Sequence, residues 1–275
     1  MAAERVTLHL DPIQSSANVL TIIETLGRDP LTPFMTAGEI IARVRSDYEF
    51  TDRTEPVVMA HAVGLLDKEG QTFGLSATGR AVHAVRPAAR ADLLHALLWD
   101  ASLAEGNGAA WAYRRFCTRL WERARVDLSS TEVTSLVADI LSEAPAAFPG
   151  ADRFSFSRKS ILGMRRWLEP LAPPVLHENE FRRRDICSWE LLLLAIGQVA
   201  QADGADIGAD LLLSSERRAD ICRICLLEPA VFDRRLDHLI PIYPRVLTTG
   251  TRTGAYGRFV RLHAWPTVED LVTSS

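Results

Sequence analysis

The stretch from Thr36 to Val82 constrains this chain more than any other. It packs two short helical patterns, a charged turn and a brief alternating strand into few residues, an order that only a small, tightly turned unit accommodates. Thr36 and Glu39 have the spacing of a capping box, in which the Thr hydroxyl accepts from the amide three residues on and the Glu carboxylate reaches back to the cap amide. The helix they start carries Ile40, Ile41 and Val44 along one side. Pro56 suits the first turn of a second helix, along which Val57, Val58, Ala60, Val63 and Leu66 follow at helical spacing. Asp67, Lys68, Glu69 and Gly70 then read as a turn, and the strand after them ends in Leu75-Ser76-Ala77-Thr78-Gly79-Arg80.

This order and this ending resemble the winged helix-turn-helix module of bacterial regulators, whose wing strand often ends in Leu-Thr-x-x-Gly-Arg. In DNA-binding members the helix begun here by Pro56 would enter the major groove. A helix in that position needs Arg, Lys, Asn or Gln on its outer face. The polar residues in and around this one are Asp52, Arg53, Glu55, His61 and Asp67. Packing on a protein partner is the better reading of the N-terminal unit.

Upstream, Val6, Leu8 and Leu10 alternate as a short strand over residues 4–10. Ser15 or Ser16 caps a helix running to about Gly27. Downstream, residues 81–145 read as wholly helical, with breaks at 106–108 and 144–152 and a second capping box at Ser129 and Glu132. One of these helices interleaves Trp111, Phe116, Leu120 and Trp121 with Arg114, Arg115, Arg119, Arg123 and Arg125. Arginines and aromatics together suit nucleic acid, but an amphipathic helix with its rings inside and its arginines in water is preferred. Ser157–Leu168 is a short basic helix closed by Pro170, and 177–185, with Arg182, Arg183 and Arg184, reads as a solvated connection.

From Ser188 the opening pattern returns. Trp189–Ala200 is an apolar helix capped by Ser188, Ser214-Ser215-Glu216 starts a second helix, and Pro229 starts a third that Pro241 stops. Residues 245–249 and 256–263 read as two strands joined by a glycine-bearing turn at 250–254. Three helices and a hairpin again make a winged-helix order, in pattern although not in residue identity.

Charge separates the two copies. The formal net charge is −4, and the first hundred residues hold nine basic against thirteen acidic side chains, whereas residues 212–263 hold nine against five. The cationic surface therefore belongs near the C-terminal end. There Arg234 and Arg235 fall on the third helix, Arg245, Arg258 and Arg261 on the strands, and Arg252 in the turn, with Thr251 and Tyr256 as hydroxyl donors. Such a wing suits a phosphate backbone, where each neutralised phosphate releases counterions. The alternatives are a hairpin kept soluble by its arginines, or an edge that docks on a partner protein.

Other chemistry is weakly indicated. Cys222 and Cys225 have metal-ligand spacing, but a structural zinc site needs four ligands and Cys117 and Cys187 stand apart in sequence, so buried thiols acting as small hydrophobes are expected. The nucleophile-elbow, phosphate-loop, dinucleotide and His-Glu-x-x-His patterns are absent. The N-terminus lacks a signal-like apolar segment, and the run Leu191–Ile196 is too short to span a bilayer.

The sequence thus predicts a mainly α protein: a winged-helix unit over 1–86, a helical middle over 87–175, and a second winged-helix unit over 176–275. The expected function is a non-enzymatic, cytoplasmic, DNA-associated role without cofactor, metal or membrane partner. Double-stranded DNA would be held by its backbone: Arg234 and Arg235 would position the helix, Arg252 and Arg258 would clamp phosphate, and Arg245, Arg261, Thr251 and Tyr256 would complete the surface. The resemblance implies an alternative, since tandem winged-helix proteins also serve as adaptor subunits of bacterial assemblies, including those that pair with condensin-like ATPases. A homo-oligomer is compatible with either.

Overall fold

Ser15, Thr36 and Ser76 each accept a hydrogen bond from the amide three residues on, and each starts a helix there. These local signals set the frame of the N-terminal unit in the structure, a computed structural model that describes residues 4–29, 32–103, 106–252 and 257–273. Its elements are β1 (Glu4–Thr7), α1 (Ser16–Gly27), β2 (Met35–Thr36), α2 (Ala37–Asp47), α3 (Glu55–Ala62), β3 (Leu66–Glu69), β4 (Thr72–Leu75) and α4 (Ala77–Ala84). The strands order β2-β4-β3, all antiparallel. Leu66 to Glu69 are strand, where a helix end and a turn were predicted. Gly64, at a φ of +78°, stops α3 early and redirects the chain, which a side chain at that φ would resist. The strand ends at Leu75 as predicted, and the rest of that ending starts a helix: Ser76 caps α4, and Gly79 is required because a Cβ there would stand 2.2 Å from the Leu65 carbonyl oxygen.

The middle contains α5 (Pro87–Asp100), α6 (Gly108–Arg123), β5 (Arg125–Asp127), α7 (Ser130–Ala147), β6 (Ala151–Ser155) and α8 (Arg158–Leu168). β5 interrupts the stretch 81–145, predicted as wholly helical apart from breaks at 106–108 and 144–152. β6 pairs in parallel with β1 and so ties the N-terminal strand to the middle. The capping box at Ser129 does not form, because the Glu132 carboxylate turns to Arg123. Nor are residues 177–185 a solvated loop: β7 (Leu176–His177) and β8 (Glu180–Arg182) form a hairpin that β5 extends through β8, and Arg184 beyond it is buried.

The chain then continues as α9 (Trp189–Ala202), β9 (Asp210–Leu212), α10 (Ser215–Cys225), α11 (Phe232–Leu239), β10 (Leu247–Arg252), β11 (Gly257–Leu262) and α12 (Val268–Thr273). The sheet order β10-β11-β9 places the first strand on the last, as β2 sits on β4 in the N-terminal unit. Each unit is therefore a helix, a short strand, two helices and a hairpin. Residues 250–252 extend β10, where a turn was predicted.

Helices dominate, at 56% against 17% strand, so the chain is mainly α. One apolar cluster runs from Leu8 through the middle helices to Leu271. Polar clasps cross it: Arg86 donates twice to Glu190, at 2.9 and 2.8 Å, and Thr78 on α4 donates to Glu269 on α12 at 2.5 Å. Among the described residues no helix is long and apolar enough to cross a membrane.

Candidate functional site

The β10–β11 hairpin turns its basic side chains toward carboxylates of the same chain. Asp210 on β9 is the cross-strand partner of Arg261 on β11, and that register brings charges of opposite sign together. Arg261 donates from Nε and Nη2 to Asp210 Oδ1 at 2.9 and 2.6 Å. Arg252 donates to Oδ2 of the same carboxylate at 3.1 and 2.6 Å. Phe259 lies over Gly250 and between the two guanidinium groups, 6.0 and 5.8 Å from its ring centroid. The hydrogen bonds from Arg252 and then Arg261 hold the Asp210 carboxyl below the usual carboxylate range, so it is ionised at neutral pH.

A second carboxylate pair closes the neighbouring face. Arg258 reaches Asp233 Oδ1 at 3.3 Å and also pairs with Asp237, both on α11. Asp233 is shared with Arg218 of α10. Arg235 is buried, with its guanidinium 3.7 Å from the Trp189 ring centroid and donating to the Cys187 carbonyl at 3.2 Å. It holds the start of α9 against α11 and reaches no ligand, contrary to the role predicted for it. Arg252, Arg258 and Arg261 likewise depart from the predicted open surface, since each is engaged by an acid. Arg234 and Arg245 are exposed and have no carboxylate partner among the described residues. Thr251 is exposed near the end of β10, and Tyr256 lies outside the described residues.

No protein-family model, curated protein or solved structure matches this chain. A phosphate approaching Arg252 or Arg261 must displace a carboxylate already held by paired charge-assisted hydrogen bonds, which are among the stronger polar contacts in proteins. Asp210 is the residue that the sequence reading missed. It lies just before the stretch over which the positive excess was counted, on a strand too short to leave a periodic signal.

The N-terminal counterpart of α11 is α3, which presents neither a basic row nor a closed ionic face. Val58 on it is 49% exposed, with exposed His61 nearby, while Arg53 is paired with Glu55. In the middle, the arginines of α6 are not loose in water. Arg115 and Arg119 meet Glu143, and Arg123 meets Glu132 and Asp139, all from α7. The rings of Phe116 and Trp121 are buried and Trp111 is half-buried, in keeping with the amphipathic reading.

The four cysteines are free and buried. The fold brings Cys187 beside Cys225, although the two are distant in sequence. Burial pushes the Cys222 thiol up to about 12 and lifts Cys117 and Cys225 far above the usual range. Protonated thiols are poor ligands and poor nucleophiles. Among the described residues no group of three or more His, Cys, Asp or Glu is arranged to hold a metal.

Proposed function

We propose that this chain is a non-enzymatic adaptor, built from two winged-helix units joined by a helical middle, that engages protein partners within a bacterial DNA-maintenance or defence assembly. The observation that carries this reading is that Arg252, Arg258 and Arg261 are each engaged by a carboxylate of the same chain, from Asp210, Asp233 or Asp237. A duplex phosphate must compete with these carboxylates for each of the three guanidinium groups, which weakens a duplex-binding role. The repeated order of helix, strand, two helices and hairpin supports the winged-helix assignment, and the exposed Val58 on α3 supports protein contact there. The clasps between the units, Arg86 to Glu190 and Thr78 to Glu269, suit a scaffold that holds two surfaces at a fixed spacing.

The test is purification of the tagged chain from its source, with a Val58→Glu variant in parallel. Recovery of a protein partner in stoichiometric amount with the native chain, and its loss with the variant, is the expected result. Recovery of duplex DNA without a partner protein would overturn the proposal. A second reading, backbone contact with duplex DNA, is favoured by Arg234 and Arg245, whose guanidinium groups remain exposed and unpaired among the described residues. Two sites of that kind supply only a weak, salt-sensitive attraction.

A further inference from the structure

In a chain whose arginines are mostly engaged by acids, Arg5 and Arg153 stand out. They are register partners in the parallel β1–β6 pair, both are exposed, and neither has a carboxylate partner among the described residues. Asp152, although adjacent to Arg153 in sequence, forms an ion pair with neither. Like charges set side by side on neighbouring strands repel, so the ribbon carries a cost that a bound anion would relieve.

A cleft of about 820 Å³ opens beside this ribbon, within the range of small-molecule sites. Arg5 lines it, as do Trp111 and Phe148, whose rings meet edge to face with centroids 5.3 Å apart. Gly108 explains how the aromatic wall comes so close to the strand: a Cβ there would stand 2.6 Å from the Thr7 carbonyl oxygen, so only glycine lets the first turn of α6 press on β1. Trp111 follows one turn later.

We propose that this cleft binds a small ligand that joins an anionic group to a flat ring system. The anion would be held by Arg5, which lines the cleft, with Arg153 beside it on β6 adding its charge from outside the lining, and the ring would rest against Trp111 and Phe148. A guanidinium suits phosphate and carboxylate alike, and a half-buried indole offers apolar area together with a face for stacking. The site is separate from the C-terminal hairpin and does not depend on the adaptor reading.

Anilinonaphthalene sulfonate, a flat ring system bearing an anion, serves as the probe in a fluorescence titration of the full chain. One saturable site is expected, weakened at least tenfold in the double variant Arg5→Gln/Arg153→Gln and unchanged in Arg234→Gln/Arg245→Gln. All four positions are on the surface, so matched unfolding midpoints guard against a folding defect, and Trp111→Leu gives a second line of evidence from the ring side. Displacement of the probe by adenosine monophosphate would assign a phosphate ligand, and displacement by benzoate alone a carboxylate. Displacement by neither, the lack of a saturable site, or equal affinity in the Arg5/Arg153 variant and the parent would overturn the proposal.

Discussion

Arg184 shows how little a single residue's type says about where it sits. Its side chain is 1% exposed, with Nη1 donating to Asp92 at 2.8 Å and Nε to the Cys225 carbonyl at 2.9 Å, while the Ser188 amide donates to the other oxygen of Asp92 at 2.8 Å. Removing one partner of such a pair strands the other charge, so Asp92→Asn should cost about 3–5 kcal/mol, read as a fall in the urea midpoint at unchanged slope. Pairing it with Arg184→Met should recover much of that loss. Nearby, His95 lies fully buried between the Tyr113 hydroxyl at 2.6 Å and the Ile224 carbonyl at 2.7 Å. A carbonyl only accepts, so Nε2 carries the proton and Nδ1 accepts from Tyr113. Burial is the main cause that pushes the His95 pKa down to about 4. Between about 4 and 6.5 the unfolded chain binds a proton there that the folded chain refuses, so stability rises with pH through that window and is lost on acidification, by about 3 kcal/mol in all. His95→Gln should flatten that pH dependence in urea titrations, and an unchanged slope would refute the assignment. Neither residue was legible in the sequence. Arg182, Arg183 and Arg184 look alike in a charged run, yet the first pairs with Glu180, the second lies over Trp121 at 4.4 Å, and the third goes inside. Arg182 finds its acid two residues away, whereas the partners of Arg183 and Arg184 are distant in the chain.

Whole elements were legible where their signals are local. The caps at Ser15, Thr36, Ser188 and Ser214 each mark a helix start as predicted, because capping needs only a side chain and an amide a few residues away. Strands of two or three residues, such as β2, β5, β7 and β9, leave no period to detect, and their pairing is set by the helices around them. The Leu75–Arg80 ending lies between these cases. Leu75 ends β4 as predicted, and the residues after it have a second task, to start α4 against the Leu65 carbonyl. Gly79→Ala should therefore destabilise the protein by about 1–3 kcal/mol, because backbone must move to admit the methyl group. Gly38→Ala, where a Cβ meets nothing within 4 Å, should be neutral or stabilising by up to about 1 kcal/mol. Thermal or urea unfolding of the two variants side by side checks this, and equal effects would contradict the close approach at Gly79. The ladder from α6 to α7 explains a missed capping box by the same competition: Glu132 serves Arg123 across the helix pair and is lost to Ser129.

At the scale of the molecule, the two ends repeat one order of elements around a continuous core, and they differ in how their surfaces handle charge. Counting along the chain located the basic excess correctly but not its fate, because Asp210 crosses to Arg261 and Arg252 through strand pairing and Asp233 and Asp237 meet Arg258 through the packing of α11 on the hairpin. Those contacts set a carboxylate against each arginine of the apparent phosphate clamp, and they are the reason for preferring a protein-binding role. The claim is tested most directly by fluorescence anisotropy of a labelled duplex of unrelated sequence, titrated at several salt concentrations with the native chain and with Asp210→Ala/Asp233→Ala/Asp237→Ala. The native protein should show no saturable binding. The variant, with Arg252, Arg258 and Arg261 released, should bind with a log–log salt slope of about −3. Tight binding by the native chain that falls steeply with salt and is lost in Arg252→Ala/Arg258→Ala would contradict the account.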